Sequence, residues 1–205
     1  VEASGRRDKR VGTGTVAGVA QLAQEAEVDV ASIGMITQRC KQAGVQIFFS
    51  QPAYISKKSH SRYGCRVAIL VRSKLKAVEM QADAADNKCA HLRLLKTSGR
   101  WCEVSVPIGD GNRHILIAGF YGPSGASMNT AERLENSRLL GAAAVRMAKY
   151  HNTPYFLGAD VNEDPSDCMM ISSLRNSGFW KDLVEDWITD AGGALGPTYH
   201  KGQIT

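Results

Sequence analysis

Asp160 and Asn162 stand two residues apart in Gly158-Ala159-Asp160-Val161-Asn162, directly after the apolar run Tyr155-Phe156-Leu157. A carboxylate and an amide just past a hydrophobic strand project from the rigid edge of a sheet, where catalytic groups gain fixed geometry. The same residues suit an Asx-rich turn in which both side chains satisfy only backbone N–H groups, and the segment alone fits either reading. A calcium loop is excluded. Asp160, Asn162 and Asp164 occupy its first, third and fifth places, but Pro165 stands where a Gly is needed and Ile171 where a bidentate Glu is needed.

Other reactive side chains are scattered. His60, His91, His114, His151 and His200 show no metal-ligand spacing and no partner Ser or Cys motif. His60 and His91 fall in loop or solvent-facing strand positions, and His200 reads as a surface residue. Cys40, Cys65, Cys89, Cys102 and Cys168 are odd in number, widely spaced and without a CxxC pair. Neither a zinc site nor a disulfide framework follows from that spacing. Their small or apolar neighbours suit buried reduced thiols and a reducing, intracellular setting, nuclear or cytoplasmic.

Lys and Arg outnumber Asp and Glu by 25 to 20. A basic surplus favours polyanionic partners, because each cation near a phosphate releases condensed counterions. A surplus of this size also serves solubility alone. Arg6, Arg7, Lys9 and Arg10 supply much of it and suit a flexible basic segment over residues 1–20. Hydrophobic residues make up 43% of the 205, enough to bury the core of one large domain. No run of about 20 apolar residues is present to span a membrane as a helix.

The elements that must position Asp160 and Asn162 alternate in type. Asp29 can cap a helix with Ile33, Ile36 and Cys40 at helical spacing, and Gly44 ends it with a left-handed residue. Val45–Phe49 is a short strand. Val67-Ala68-Ile69-Leu70-Val71, unbroken and apolar, suits a central strand covered on both faces. Leu92 and Leu94 alternate with His91 and Arg93 as in a strand, Ser98-Gly99 turns, and residues 101–106 alternate again. Asp110-Gly111-Asn112 is a hairpin signal, and residues 115–120 return from it. Asn129 with Glu132 has the form of a capping box, opening a helix with Leu140, Ala144 and Met147 on one face. Trp180, Leu183, Val184 and Trp187 fall on one face of a further short helix. Strands, helices and hairpins in this mixture predict sheets packed face to face and covered outside by helices.

Several of these segments, taken in order, resemble the endonuclease/exonuclease/phosphatase superfamily. Gly158-Ala159-Asp160-Val161-Asn162 is similar to its Gly-Asp-Phe-Asn signature, with Asp160 and Asn162 at the matching spacing and Ala159 as a departure. Gln24-Glu25 looks like its Gln-Glu pair, followed by a similar helix and a strand ending in Phe48-Phe49-Ser50. Gly64 and the apolar strand after it are similar to the family's glycine-led strand. Gly119-Phe120-Tyr121-Gly122-Pro123 resembles the strand end that presents a tyrosine, and Pro197-Thr198-Tyr199 resembles a later family segment. The resemblance covers roughly residues 21–199, and its force lies in the order of the motifs. The pattern is similar to that of endonuclease domains attached to reverse transcriptases.

The resemblance implies an α/β (α+β) fold, a DNase I-like four-layer sandwich of two mixed sheets face to face and flanked by helices, spanning residues 21–205. It implies phosphodiester hydrolysis, with Glu25 as ligand of Mg2+ (Mn2+ as the alternative) because a hard cation prefers oxygen donors. Asp160 would orient and deprotonate the attacking water, Asn162 would hold that water or a phosphate oxygen, and Tyr121 would hydrogen-bond the phosphate. Nucleic acid is the implied partner, DNA ahead of RNA, with a larger polyprotein carrying reverse transcriptase as the context. Two family elements have no counterpart: an Asn before the Gln-Glu pair and a closing Ser-Asp-His. The expectation is therefore a domain truncated at both ends, and the alternative function is an inactive remnant or polyanion-binding module of the same fold.

Overall fold

The run Val67-Ala68-Ile69-Leu70-Val71 lies in the middle of the first sheet. In the computed structural model, which describes residues 13–16, 20–56, 61–81, 83–109, 113–164, 166–178 and 180–181, this run belongs to β5 (Ser61–Arg72). β5 is flanked by β2 (Ala20–Asp29) and β3 (Val45–Phe49), while β4 (Ala53–Ser56) pairs with its first residues. β1 (Thr13–Val16) pairs with the outer side of β2. Those four residues fall inside the stretch expected to be a flexible basic segment, and here they form a strand instead. The remainder of that expected segment, apart from Ala20, lies outside the described residues.

The second sheet has the order β6 (Val78–Glu79), β7 (Trp101–Ile108), β8 (Arg113–Tyr121), β9 (Tyr155–Asp160). β7 and β8 are antiparallel, as the Asp110-Gly111-Asn112 signal required, although the turn residues themselves lie outside the described set. β8 and β9 are parallel, and α4 (Thr130–Ala148) carries the crossover between them. Two mixed sheets were expected, and among the described pairings only this sheet is mixed. In the first sheet β5 inserts between β2 and β3, so every described pairing there is antiparallel.

The inner faces meet through β5 and β2 on one side and β7, β8 and β9 on the other. Leu22, Val67, Ile69, Val104, Val106 and Ile117 form the buried layer between them. Gly158 allows the closest approach, since a Cβ there would lie 2.0 Å from Leu22 Cδ1. α1 (Val30–Gln42) covers the outside of the first sheet, and α3 (Ala90–Thr97) packs between β7 and α4 on the outside of the second. Four layers result, as the fold class predicted.

Local signals explain most boundaries. Asp29 caps α1 by accepting from Ala31 N at 2.9 Å, and Gly44 follows its end at φ 73°. Asn129 caps α4 by accepting from Ala131 N at 2.9 Å. The reciprocal half of a capping box does not form there, because Asn129 N already donates to Gly125 O at 2.9 Å. One element differs in type: the expected strand around Leu92 is α3. Leu92 and Leu95, three apart, are its buried residues, so helical spacing outweighs the local alternation. All five cysteines are free; Cys65, Cys102 and Cys168 are buried and the other two half-buried.

The chain divides after Asp164 into two compact units. The second contains α5 (Met169–Asn176), and the helix expected around Leu183 and Trp187 lies outside the described residues. No described helix is long and apolar enough to cross a membrane.

α4 is held against the second sheet by buried charge. Arg146, fully buried, donates Nε to Glu103 Oε2 at 2.9 Å and Nη1 to Asp86 Oδ2 at 2.6 Å. Lys149 adds Nζ to Asp86 Oδ1 at 3.0 Å. Burial acts to raise Asp86, but the bond from Lys149 and the charge of Arg146 prevail and leave it below its ordinary value. A depressed carboxylate contributes stability above its unfolded pKa and loses it as pH falls through the folded one. Arg146→Met leaves the buried Glu103 carboxylate without its cation and Asp86 with Lys149 alone, and a loss of about 3–5 kcal/mol is expected in urea denaturation at neutral pH. That loss should shrink in acid, where Asp86 is protonated in the variant and the wild type alike.

Candidate active site

Tyr121 and Asp160, the last residues of β8 and β9, are direct partners in the parallel ladder. Gly122 N donates to Asp160 O at 2.6 Å and carries the pairing one residue further. Both strands therefore end together, with their terminal side chains at one edge of the sandwich. Asp160 is exposed there, while Tyr121 is 4% exposed.

Beyond β9 the chain turns sharply. Asn162 adopts φ 53°, a left-handed conformation that Asn tolerates better than most residues. Its backbone N donates to Asp160 Oδ1 at 3.1 Å, and its Nδ2 donates to Gly122 O at 2.9 Å. The Asx turn read from the sequence is thus present. It coexists with an exposed Asp160 carboxylate, so the turn and a chemical role are compatible. From beneath, Asn136 of α4 donates Nδ2 to Val161 O at 2.9 Å and to Glu163 Oε1 at 2.5 Å.

Glu25 reaches the same edge through an irregularity in β2. Pairing with β5 shifts register between Gln24 and Val28, and within that bulge Glu25 and Glu27 take φ 57° and 41°. Bulges of this kind bend a strand and re-aim side chains. Gln24 Nε2 reaches Phe120 O at 3.5 Å, which sets the bulge beside the end of β8. Glu25 is exposed.

Tyr121 senses all of these groups. Burial raises the pKa of its hydroxyl, the hydrogen bond with Ser124 at 2.9 Å lowers it, the charge of Glu25 raises it, hydrogen bonding with Asn162 lowers it and the charge of Asp160 raises it. The net shift is upward, so the hydroxyl stays protonated through neutral pH and can donate. Three residues named from the sequence therefore surround the phenol of the fourth, although 96 positions separate Glu25 from Tyr121.

Three further residues build this edge. Arg100 donates Nη1 to Tyr121 O at 3.1 Å and to Gly122 O at 2.7 Å, and its guanidinium lies 5.5 Å from the Tyr121 ring centroid. Ser50 Oγ accepts from Arg66 N at 3.1 Å and Val67 N at 3.3 Å. Asn136, fully buried, could have been suspected as an amide one turn before Leu139 and Leu140 on an otherwise apolar helix face. Nothing in the spacing of Arg100 or Ser50 marks them out.

The donors at this edge are hard oxygens. Among the described residues no group of three or more His, Cys, Asp or Glu is placed to hold a metal. Magnesium needs less, since it binds through one or two carboxylates and keeps several waters. Glu25 and Asp160, both exposed beside Tyr121, fit that requirement.

Fold and edge together define a DNase I-like α+β sandwich. Its structure is similar to the human Nocturnin catalytic domain with bound sulfate anion, with a TM-score of 0.56 at 13% identity over 83% of this chain and 61% of that one. A crystal structure of humanized D. rerio TDP2 also matches, with a TM-score of 0.38 at 9% identity over 82% and 55% of the two chains. The chain thus spans about three fifths of the Nocturnin domain. No family model and no curated protein matches the sequence.

The left-handed backbone at Glu25 yields a stability prediction. A left-handed residue with a Cβ costs about 1–2 kcal/mol, which glycine avoids. Glu25→Gly is expected to raise the thermal midpoint, or at least not lower it, in circular-dichroism melts. A clear drop would show that the Glu25 side chain supports the fold.

Proposed function

We propose that this chain carries a metal-dependent phosphodiesterase site acting on nucleic acid, DNA ahead of RNA, as in endonuclease domains joined to reverse transcriptases. The observation that carries the reading is the gathering of Glu25, Asp160 and Asn162 around the Tyr121 hydroxyl at one sheet edge. A free-thiol protein of this kind suits a nuclear or cytoplasmic setting.

In this reading Glu25 holds Mg2+ (Mn2+ as the alternative), with Asp160 close by. Bound there, the cation supplies neutralisation of charge on the phosphate and the leaving oxygen. Asp160 orients a water and accepts its proton, and its carboxylate is held for this by the Asn162 backbone N–H. Asn162 sets the water or a phosphate oxygen. Tyr121, kept neutral, donates its hydroxyl to a phosphate oxygen, an interaction that gains strength as negative charge develops.

The second reading is a polyanion-binding module with the same fold and no turnover, which the basic surplus of 25 over 20 charged residues favours. Plasmid nicking with and without Mg2+ separates the two. Asp160→Asn is expected to reduce nicking by about a hundredfold or more, the usual loss of a general base. Equal nicking by variant and wild type would remove Asp160 from the mechanism. Calorimetric titration should show Mg2+ binding weakened by Glu25→Gln, and no heat with the wild type would favour the binding module.

A further inference from the structure

Two arginines at this edge have no acidic partner among the described residues. Arg100 gives Nη1 to two backbone carbonyls, those of Tyr121 and Gly122, and forms no ion pair among the described residues. Burial, then repulsion from the Arg66 guanidinium, pushes its pKa down to about 10; Tyr121, Glu135 and Glu132 offset this only in part. Arg66 sits on β5 opposite the bulge that carries Glu25, its backbone N bound to Ser50 Oγ. Its Nε is shut off from solvent and has no hydrogen-bond partner.

Two like charges within reach of each other, one with a buried unpaired donor, are costly as they stand. An anion at the half-buried Arg66 offsets that repulsion. A guanidinium offers parallel N–H groups matched to phosphate oxygens, and such charge-assisted bonds are stronger than neutral ones.

We propose that Arg66 and Arg100 form a phosphate clamp at this edge, with Arg66 contacting a phosphate of the substrate strand and Arg100 acting as the positioning residue that fixes the Tyr121-Gly122 backbone. The clamp rests on the phosphodiesterase reading for the identity of the strand, but its test does not require hydrolysis.

The whole chain is titrated with a short fluorescein-labelled DNA strand in EDTA over a series of salt concentrations. Arg66→Gln is expected to weaken binding by about tenfold, as for loss of a charge-assisted bond, and to lower the salt slope by about one. Arg66→Lys should keep the slope and lose part of the affinity, because it lacks the fork. Inorganic phosphate should raise the melting temperature of the wild type and not that of Arg66→Gln. Arg66→Gln that remains folded and binds the strand with wild-type affinity and slope overturns the clamp. If that variant does not fold, unchanged affinity in Arg66→Lys overturns it instead. Should wild type and Asp160→Asn prove equally unable to nick DNA while Arg66→Gln still loses binding, the hydrolase reading falls and the clamp stands. Impaired nicking by Asp160→Asn with normal binding by Arg66→Gln removes the clamp alone.

Discussion

The edge described above depends on the register of one parallel strand pair. β8 and β9 end together because Leu116 is paired with Tyr155 at the start of the ladder and Tyr121 with Asp160 at its end. A slip of one residue would turn Asp160 to the opposite face, since side chains alternate along a strand. Gly158 helps to hold the register, because only a residue without a Cβ lets β9 lie against Leu22 of the facing sheet. Core packing and site geometry are thus the same constraint.

Parallel strands need a crossover, and α4 supplies it. Its attachment is polar at both ends of its buried face. Arg146 ties its last turns to Glu103 of β7 and to Asp86, while Asn136 ties its middle to Val161 and Glu163 just beyond β9. Buried polar contacts stabilise less than apolar ones of equal area, but they tolerate fewer alternative arrangements. An unpaired Glu103 or Val161 carbonyl would be costly, and that cost disfavours rotation of the helix.

Backbone strain collects at the same edge. Glu25, Glu27 and Asn162 are three of the four non-glycine residues with positive φ among those described. Such conformations persist where the surroundings over-determine them. Here the surroundings are two packed sheets and a helix that grips the loop after β9. The carboxylates and the amide are thereby presented on rigid supports.

Local order along the chain was legible without coordinates. Asp29 and Gly44 marked the ends of α1, the alternation from Trp101 marked β7, and the apolar runs at Val67 and Tyr155 marked β5 and β9. Each depends on interactions within a few residues, which composition and period express directly. Asp160, Asn162, Glu25 and Tyr121 could be named by resemblance for the same reason, as short motifs in order. The helix at Leu92 was misread because its alternating and helical spacings coincide over a few residues, and only packing of Leu92 and Leu95 decides between them. The β2 bulge, the buried Arg146 cluster and the Arg66–Arg100 pair could not be read at all. They join residues between 34 and 63 positions apart, or exist only because two strands lose register, and no local pattern records which distant partner a side chain will meet.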